Sequence, residues 1–154
     1  MSEVYIRRLR AIQLEFFSAR EAISYVRRNW HKQDIYAEIP RLKPSHFDAA
    51  GGNVEATYFI RLYAEFEGIL KDHLATNHLS LAVPDKPKVD WLISRVTRTE
   101  AITIDPKLRR KMGDARDYRN SIAHRTRAAV PAVTLVDALS TLNRFLARLP
   151  EPQT

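Results

Sequence analysis

The sequence predicts an all-α fold, an up-and-down helical bundle of about four main helices with shorter helices between them. Three observations lead there. Apolar residues recur at helical spacing over long segments. There are only four glycines in 154 residues, too few for a turn-rich β protein. The eight prolines fall mostly between the periodic segments, where they mark breaks. Hydrophobic residues make up 45% of the chain, enough for a packed core, and the length suits a single domain over residues 1–154.

The first element is the most regular. Tyr5, Leu9, Ile12, Phe16, Ala19, Ile23, Val26 and Trp30 alternate spacings of four and three, which places them on one face of a long helix within 1–30. A seam this short predicts bundle packing rather than an extended coiled coil. Residues 31–53 read as an irregular connection, broken by Pro40, Pro44 and Gly51-Gly52 and long enough to hide a short helix. Asn53 is then the expected N-cap of a second helix, with Glu55 complementing the macrodipole. Its apolar stripe is Phe59, Leu62, Phe66, Ile69 and either His73 or Leu74, and it should run to about Asn77.

After a proline-containing loop, Val89 to Arg98 is expected to form a short helix with Trp91, Leu92 and Val96 facing inward. Asp105-Pro106 is a strong start signal, an acidic N-cap followed by proline at the first helical position. Leu108, Met112, Ala115, Tyr118 and Ile122 line one side of that helix. Pro131 is expected to open the last helix, with Leu135, Leu139, Leu142, Phe145, Leu146 and Leu149 in its core stripe and Pro150 at its end. Residues 54–149 would then form the core of the bundle.

Composition narrows the chemistry. The absence of cysteine excludes a disulfide, a thiolate zinc site and a thiol nucleophile. No secretory signal and no run of 18 apolar residues is evident, so the expectation is a cytoplasmic protein without a membrane partner. The net charge is +7, and +6 of it falls between Arg95 and Arg127, where ten basic residues face four acidic ones. Such a field attracts polyanions, of which RNA is the commonest in cytoplasm; a solvated helix face is the alternative. His31, His46, His73 and His78 contain no pair at i, i+4 on an open face, so they read as surface or capping residues rather than metal ligands. The loop Gly51-Gly52 lacks the Lys-Ser/Thr of a phosphate loop. No cofactor is expected.

Chemistry concentrates in Arg119-Asn120-Ser121-Ile122-Ala123-His124. With Ala115 at zero on a helical wheel, Arg119 falls at about 40°, inside the apolar stripe, Asn120 at about 140° and His124 at about 180°. A buried arginine needs an anionic partner or a wet cleft, and Glu65 and Glu67 on the second helix are the candidates. Asn120 and His124, four apart, can hydrogen-bond. Histidine moves protons near neutrality, and arginine presents a fixed fork of donors to phosphate oxygens. The trio therefore suits cleavage of RNA by its own 2′-hydroxyl. Arg116, Arg125, Arg127 and Lys111 are the candidate RNA contacts. On spacing alone Arg-x4-His is a weak signal, and a structural role is the alternative.

The string DYRNSIAHR, Asp117 to Arg125, resembles the Arg-polar-x3-His signature of the HEPN superfamily. The helix RLYAEFEGILKDHL and the closing helix VTLVDALSTLNRFLARL agree with it, and the context is similar to the RiboL-PSP-HEPN branch from about Asn53 to Leu149. The resemblance implies a homodimeric helical bundle whose two motifs meet in an interfacial cleft. It also implies a metal-independent endoribonuclease that leaves a 2′,3′-cyclic phosphate, in a defence or toxin–antitoxin setting with an antitoxin partner. Arg119 and His124 would be catalytic, Asn120 supporting, and Glu65 or Glu67 the acidic residue of the earlier helix. A non-catalytic RNA- or protein-binding dimer is the other form the family takes. In one toxin branch a tyrosine two residues after the histidine is modified by a partner enzyme; Thr126 stands there, which speaks against that mode of neutralisation.

Overall fold

The computed structural model describes residues 3–30, 42–78, 82–124 and 130–151 and contains five α-helices and no strand among them. These are α1 (Glu3–Arg28), α2 (Pro44–Asn77), α3 (Val89–Thr99), α4 (Pro106–His124) and α5 (Leu135–Leu146). None of them is long and apolar enough to cross a membrane. The all-α bundle expected from the sequence is the fold observed.

Helix α2 is the centre, packing against each of the other four. Its stripe of Phe59, Leu62, Tyr63, Phe66, Ile69, Leu70 and Leu74 is buried, and His73 is buried with it. Helix α1 lies antiparallel along α2. Its seam residues Tyr5, Leu9, Ile12 and Phe16 are buried, whereas Ala19, Ile23 and Val26 are only half-buried. Ion pairs stitch the edges: Arg8 reaches Glu65 and Asp72, each at 2.6 Å, Arg61 pairs with Glu15, and Arg27 meets Asp48 at 2.7 Å. Helix α5 closes the core through Leu135, Leu139, Leu142, Phe145 and Leu146, with Phe145 edge-on to Phe66 at 5.8 Å.

Two boundaries differ from the sequence expectation. The second helix starts at Pro44, not after Asn53, so the irregular connection within 31–53 is helical from Pro44 onward. Proline at the first position suits a helix start, and the Lys43 backbone N–H donates to His46 Nδ1 at 3.0 Å. Phe47 packs on the buried Trp30 at 5.1 Å, and Asp48 pairs with Arg27; these contacts offset the helix cost of Gly51 and Gly52. The last helix begins after Thr134 rather than at Pro131. The Thr134 hydroxyl oxygen accepts from the Asp137 backbone N–H at 3.1 Å and donates to the Asp137 carboxylate at 2.7 Å.

Other termini follow their signals. Asp105 caps α4 by accepting the Leu108 N–H at 2.8 Å. Helix α3 ends in a Schellman arrangement, in which Ile102 N–H donates to Thr97 C=O at 2.8 Å and Ala101 N–H to Arg98 C=O at 3.4 Å. Ala101 occupies the left-handed position of that motif at φ 51°, where glycine is normally preferred. Arg148, just past α5, donates to Thr103 C=O and meets Asp105 at 3.0 Å, so α4 and α5 run antiparallel.

A candidate site around Arg119

Helix α4 buries Leu108, Met112 and Ala115, with Tyr118 and Ile122 half-buried behind them. Tyr118 stands edge-on to Phe59 at 4.9 Å, which fixes the rotation of α4 against α2. That rotation turns Arg119 toward α2, leaving its side chain 27% exposed. Its guanidinium lies over the Tyr63 ring at 5.9 Å and donates to the Asn120 side-chain oxygen at 3.0 Å. Its nearest anion is Glu67, at 3.8 Å. Of the two acids left open by the sequence, Glu67 therefore faces Arg119. Glu65, two residues earlier, points to the opposite side of α2 and is engaged by Arg8.

Arg119 and Asn120 line a cleft of about 280 Å³ between α2, α4 and the start of α3, together with Tyr63, Glu67, Pro87, Lys88, Val89, Asp90 and Arg116. A neighbouring cavity of about 440 Å³ shares Tyr63, Asp90 and Arg116 and continues along Ile93, Thr97, Arg109 and Met112. Arg116 forms the partition, bonded to both Asp90 carboxylate oxygens at 2.7 Å and to Asp117 at 2.8 Å. Those hydrogen bonds hold its guanidinium well above the ordinary arginine value.

Two buried polar atoms on this wall have no hydrogen-bond partner among the described residues, Tyr63 Oη and Arg119 Nε. Buried donors are normally satisfied, so these two atoms are an unmet hydrogen-bonding demand beside the cleft. Burial, reinforced by the Glu67 charge, pushes the Tyr63 hydroxyl far above its ordinary value, so it stays a donor at neutral pH. Tyr63 and Asp90 escaped the sequence reading. Tyr63 sits within the aromatic stripe of α2 and reads there as core; its i, i+4 relation to Glu67 was the available signal.

The remaining candidates are placed as follows. His124, at the last turn of α4, is exposed, does not line the cleft and makes no hydrogen bond among the described residues. Asn120 faces Arg119 and not His124. Lys111 is exposed on a separate groove between α4 and α5, with Asp114, Val133 and Asp137. Arg125 and Arg127 lie outside the described residues, as does His31. Among the other histidines, His46 helps cap α2 as expected. His73 is a correction to the surface reading: it is fully buried, because its ring fills the core stripe while Tyr5, Asn77 and Glu100 satisfy its nitrogens.

Comparison with known protein families, curated proteins and solved structures finds no match for the chain.

Proposed function

We propose that the chain is a metal-independent endoribonuclease of the HEPN type. The observation that carries the reading is the presentation of Arg119. Its guanidinium is half-buried in a cleft, oriented by Asn120, Glu67 and the Tyr63 ring, with Nε lacking a partner among the described residues. This is the form in which an arginine stabilises the charge that builds on a phosphorane. It lies on the helix that carries the HEPN-like string DYRNSIAHR, in the most basic third of the sequence.

In this reading the 2′-hydroxyl of the RNA loses its proton to His124 as its oxygen bonds to phosphorus. The 5′-oxygen leaves, taking up a proton, and a 2′,3′-cyclic phosphate remains. His124 is exposed and does not line the cleft of its own chain, so the reading requires a second copy to bring its histidine to Arg119. A homodimer, RNA as substrate, an antitoxin as regulator and a cytoplasmic defence role belong to the same proposal. His124, exposed and without a hydrogen bond among the described residues, favours one competitor, a dimer that binds RNA or protein without cutting.

Purified protein should cut RNA in excess EDTA, under conditions where circular dichroism shows it folded, and leave cyclic phosphate ends. His124→Ala and Arg119→Ala should each lower cutting by about 100-fold or more, the scale of one general base or one oxyanion donor. A His124→Ala variant that cuts like wild type ends the proposal. RNA binding without scission by wild type selects the competitor.

A further inference from the structure

We infer that His73, His78 and Glu100 form a binding site for a divalent transition metal of the zinc type, at the C-terminal ends of α2 and α3. Their ligand atoms all lie within 4.8 Å of one another. His73 Nε2 and His78 Nε2 approach the same Glu100 Oε1 at 2.7 and 2.6 Å. Two imidazole nitrogens and one carboxylate oxygen are a donor set that zinc accepts, with the fourth position left to water. None of the three lines the Arg119 cleft, so the site is separate from the proposed nuclease chemistry.

The surroundings match what a metal needs. Glu100 Oε1 receives both rings, while its second oxygen accepts from no described residue, so the carboxylate can turn onto an ion. Burial resists its ionisation, but the hydrogen bonds from His78 and His73 outweigh that and hold it below the ordinary carboxylate value. His73 is anchored: it is 0% exposed, and its Nδ1 lies 3.1 Å from the Tyr5 hydroxyl and 3.0 Å from the Asn77 side chain. His78 and Glu100 are the caps of their helices, with side chains 25% and 13% exposed, which gives an ion a way in.

The binding step conserves protons within neutral His73 and His78, each of which moves its hydrogen from Nε2 to Nδ1 as Nε2 takes the ion. Without metal, His73 Nε2 carries the hydrogen and donates to Glu100, and Nδ1 accepts from Tyr5. With metal, the His73 Nε2 lone pair binds the ion, and Nδ1 carries the hydrogen and donates to the Tyr5 oxygen, the outer contact typical of metal-bound histidine, while the Asn77 amide turns over so that its oxygen faces Nδ1. Tetrahedral ligands about 2.0–2.1 Å from zinc stand about 3.3 Å apart, so each histidine–glutamate distance opens by about 0.6–0.7 Å.

The sequence hid this trio because His73 and His78 are five apart. They share a site only because α2 ends at Asn77 and the chain turns at His78, while the left-handed Ala101 ends α3 beside Glu100.

The test is titration of the tag-free, chelator-stripped full chain with zinc. It should bind one equivalent and raise the melting temperature. His78→Ala and Glu100→Gln should each weaken zinc binding at least about 10-fold, and Tyr5→Phe by about 10-fold through the lost outer contact. Cobalt(II) in place of zinc should give the visible absorption of a tetrahedral ion in wild type and not in Glu100→Gln. A folded wild-type chain that binds neither ion, or that binds zinc no more tightly than both variants, overturns the assignment and leaves the trio a hydrogen-bonded tie.

Discussion

Arg119 shows how much one residue's surroundings decide. An arginine on an apolar stripe demands a partner, and the sequence offered Glu65 and Glu67 on equal terms. The structure separates them by nearly the width of a helix, because residues two apart in a helix point about 200° apart. Glu65 belongs to the seam with α1, and Glu67 to the cleft. If the proposed nuclease reading holds, Glu67→Gln should lower RNA cleavage about 10-fold by loosening Arg119, while Glu65→Gln leaves cleavage within about two-fold. Both should cost less than about 1 kcal/mol of stability, since each acid sits in a partly solvated pair. Equal effects of the two on single-turnover cleavage would detach Glu67 from the site. Tyr63 illustrates the opposite limit of legibility. Nothing in a run of core aromatics distinguishes the one whose buried hydroxyl ends up without a hydrogen-bond partner among the described residues.

At the scale of elements, the termini carry most of what differs from expectation. Gly51-Gly52 looks like a break, yet both glycines lie inside α2, and a Cβ added to either would meet no atom within 4 Å. Gly51→Ala and Gly52→Ala should each stabilise the protein by about 0.5–1 kcal/mol in urea unfolding. If residues 44–53 were instead a loop needing glycine, both would destabilise. Ala101 is the mirror case: an L-residue at φ 51° in a position made for glycine. Ala101→Gly should stabilise by about 1 kcal/mol by relieving the left-handed strain, without changing the helix content seen by circular dichroism.

For the molecule as a whole, α2 is the axis against which every other helix packs, and ion pairs tie the edges around the shared apolar core. Asp105 is one of them, joining the start of α4 to the end of α5. The Leu108 N–H and the Arg148 ion pair hold its carboxyl below the ordinary aspartate value. A depressed folded value contributes stability that is present above the unfolded value and disappears as pH falls through the folded one. Wild type should therefore lose stability across that acid window, and Asp105→Asn should lose less over the same range, measured by urea midpoints between pH 5 and pH 2, about the interval in which an aspartate titrates. The asparagine variant should be the less stable of the two at neutral pH. Parallel pH curves would show that the cap does not depend on the charge.

Periodicity determined the helices themselves: the stripes of α1, α2 and α5 are legible because burial selects one face every 3.6 residues. The Asp105-Pro106 start was equally plain, since proline and an acidic cap act locally. The motif of Arg119, Asn120 and His124 could be singled out from residue type and spacing, and the wheel already set Arg119 and His124 on different faces. Only the tertiary structure decided what depends on neighbours distant in sequence. The start of α2 at Pro44 rests on Trp30 and Arg27. The choice of Glu67 over Glu65 rests on the rotation that Tyr118 and Phe59 impose on α4. The meeting of His73, His78 and Glu100 rests on two helix ends brought side by side. Local pattern encodes which face of a helix is buried; which side chains meet across that face is set by packing, and packing is a property of the whole chain.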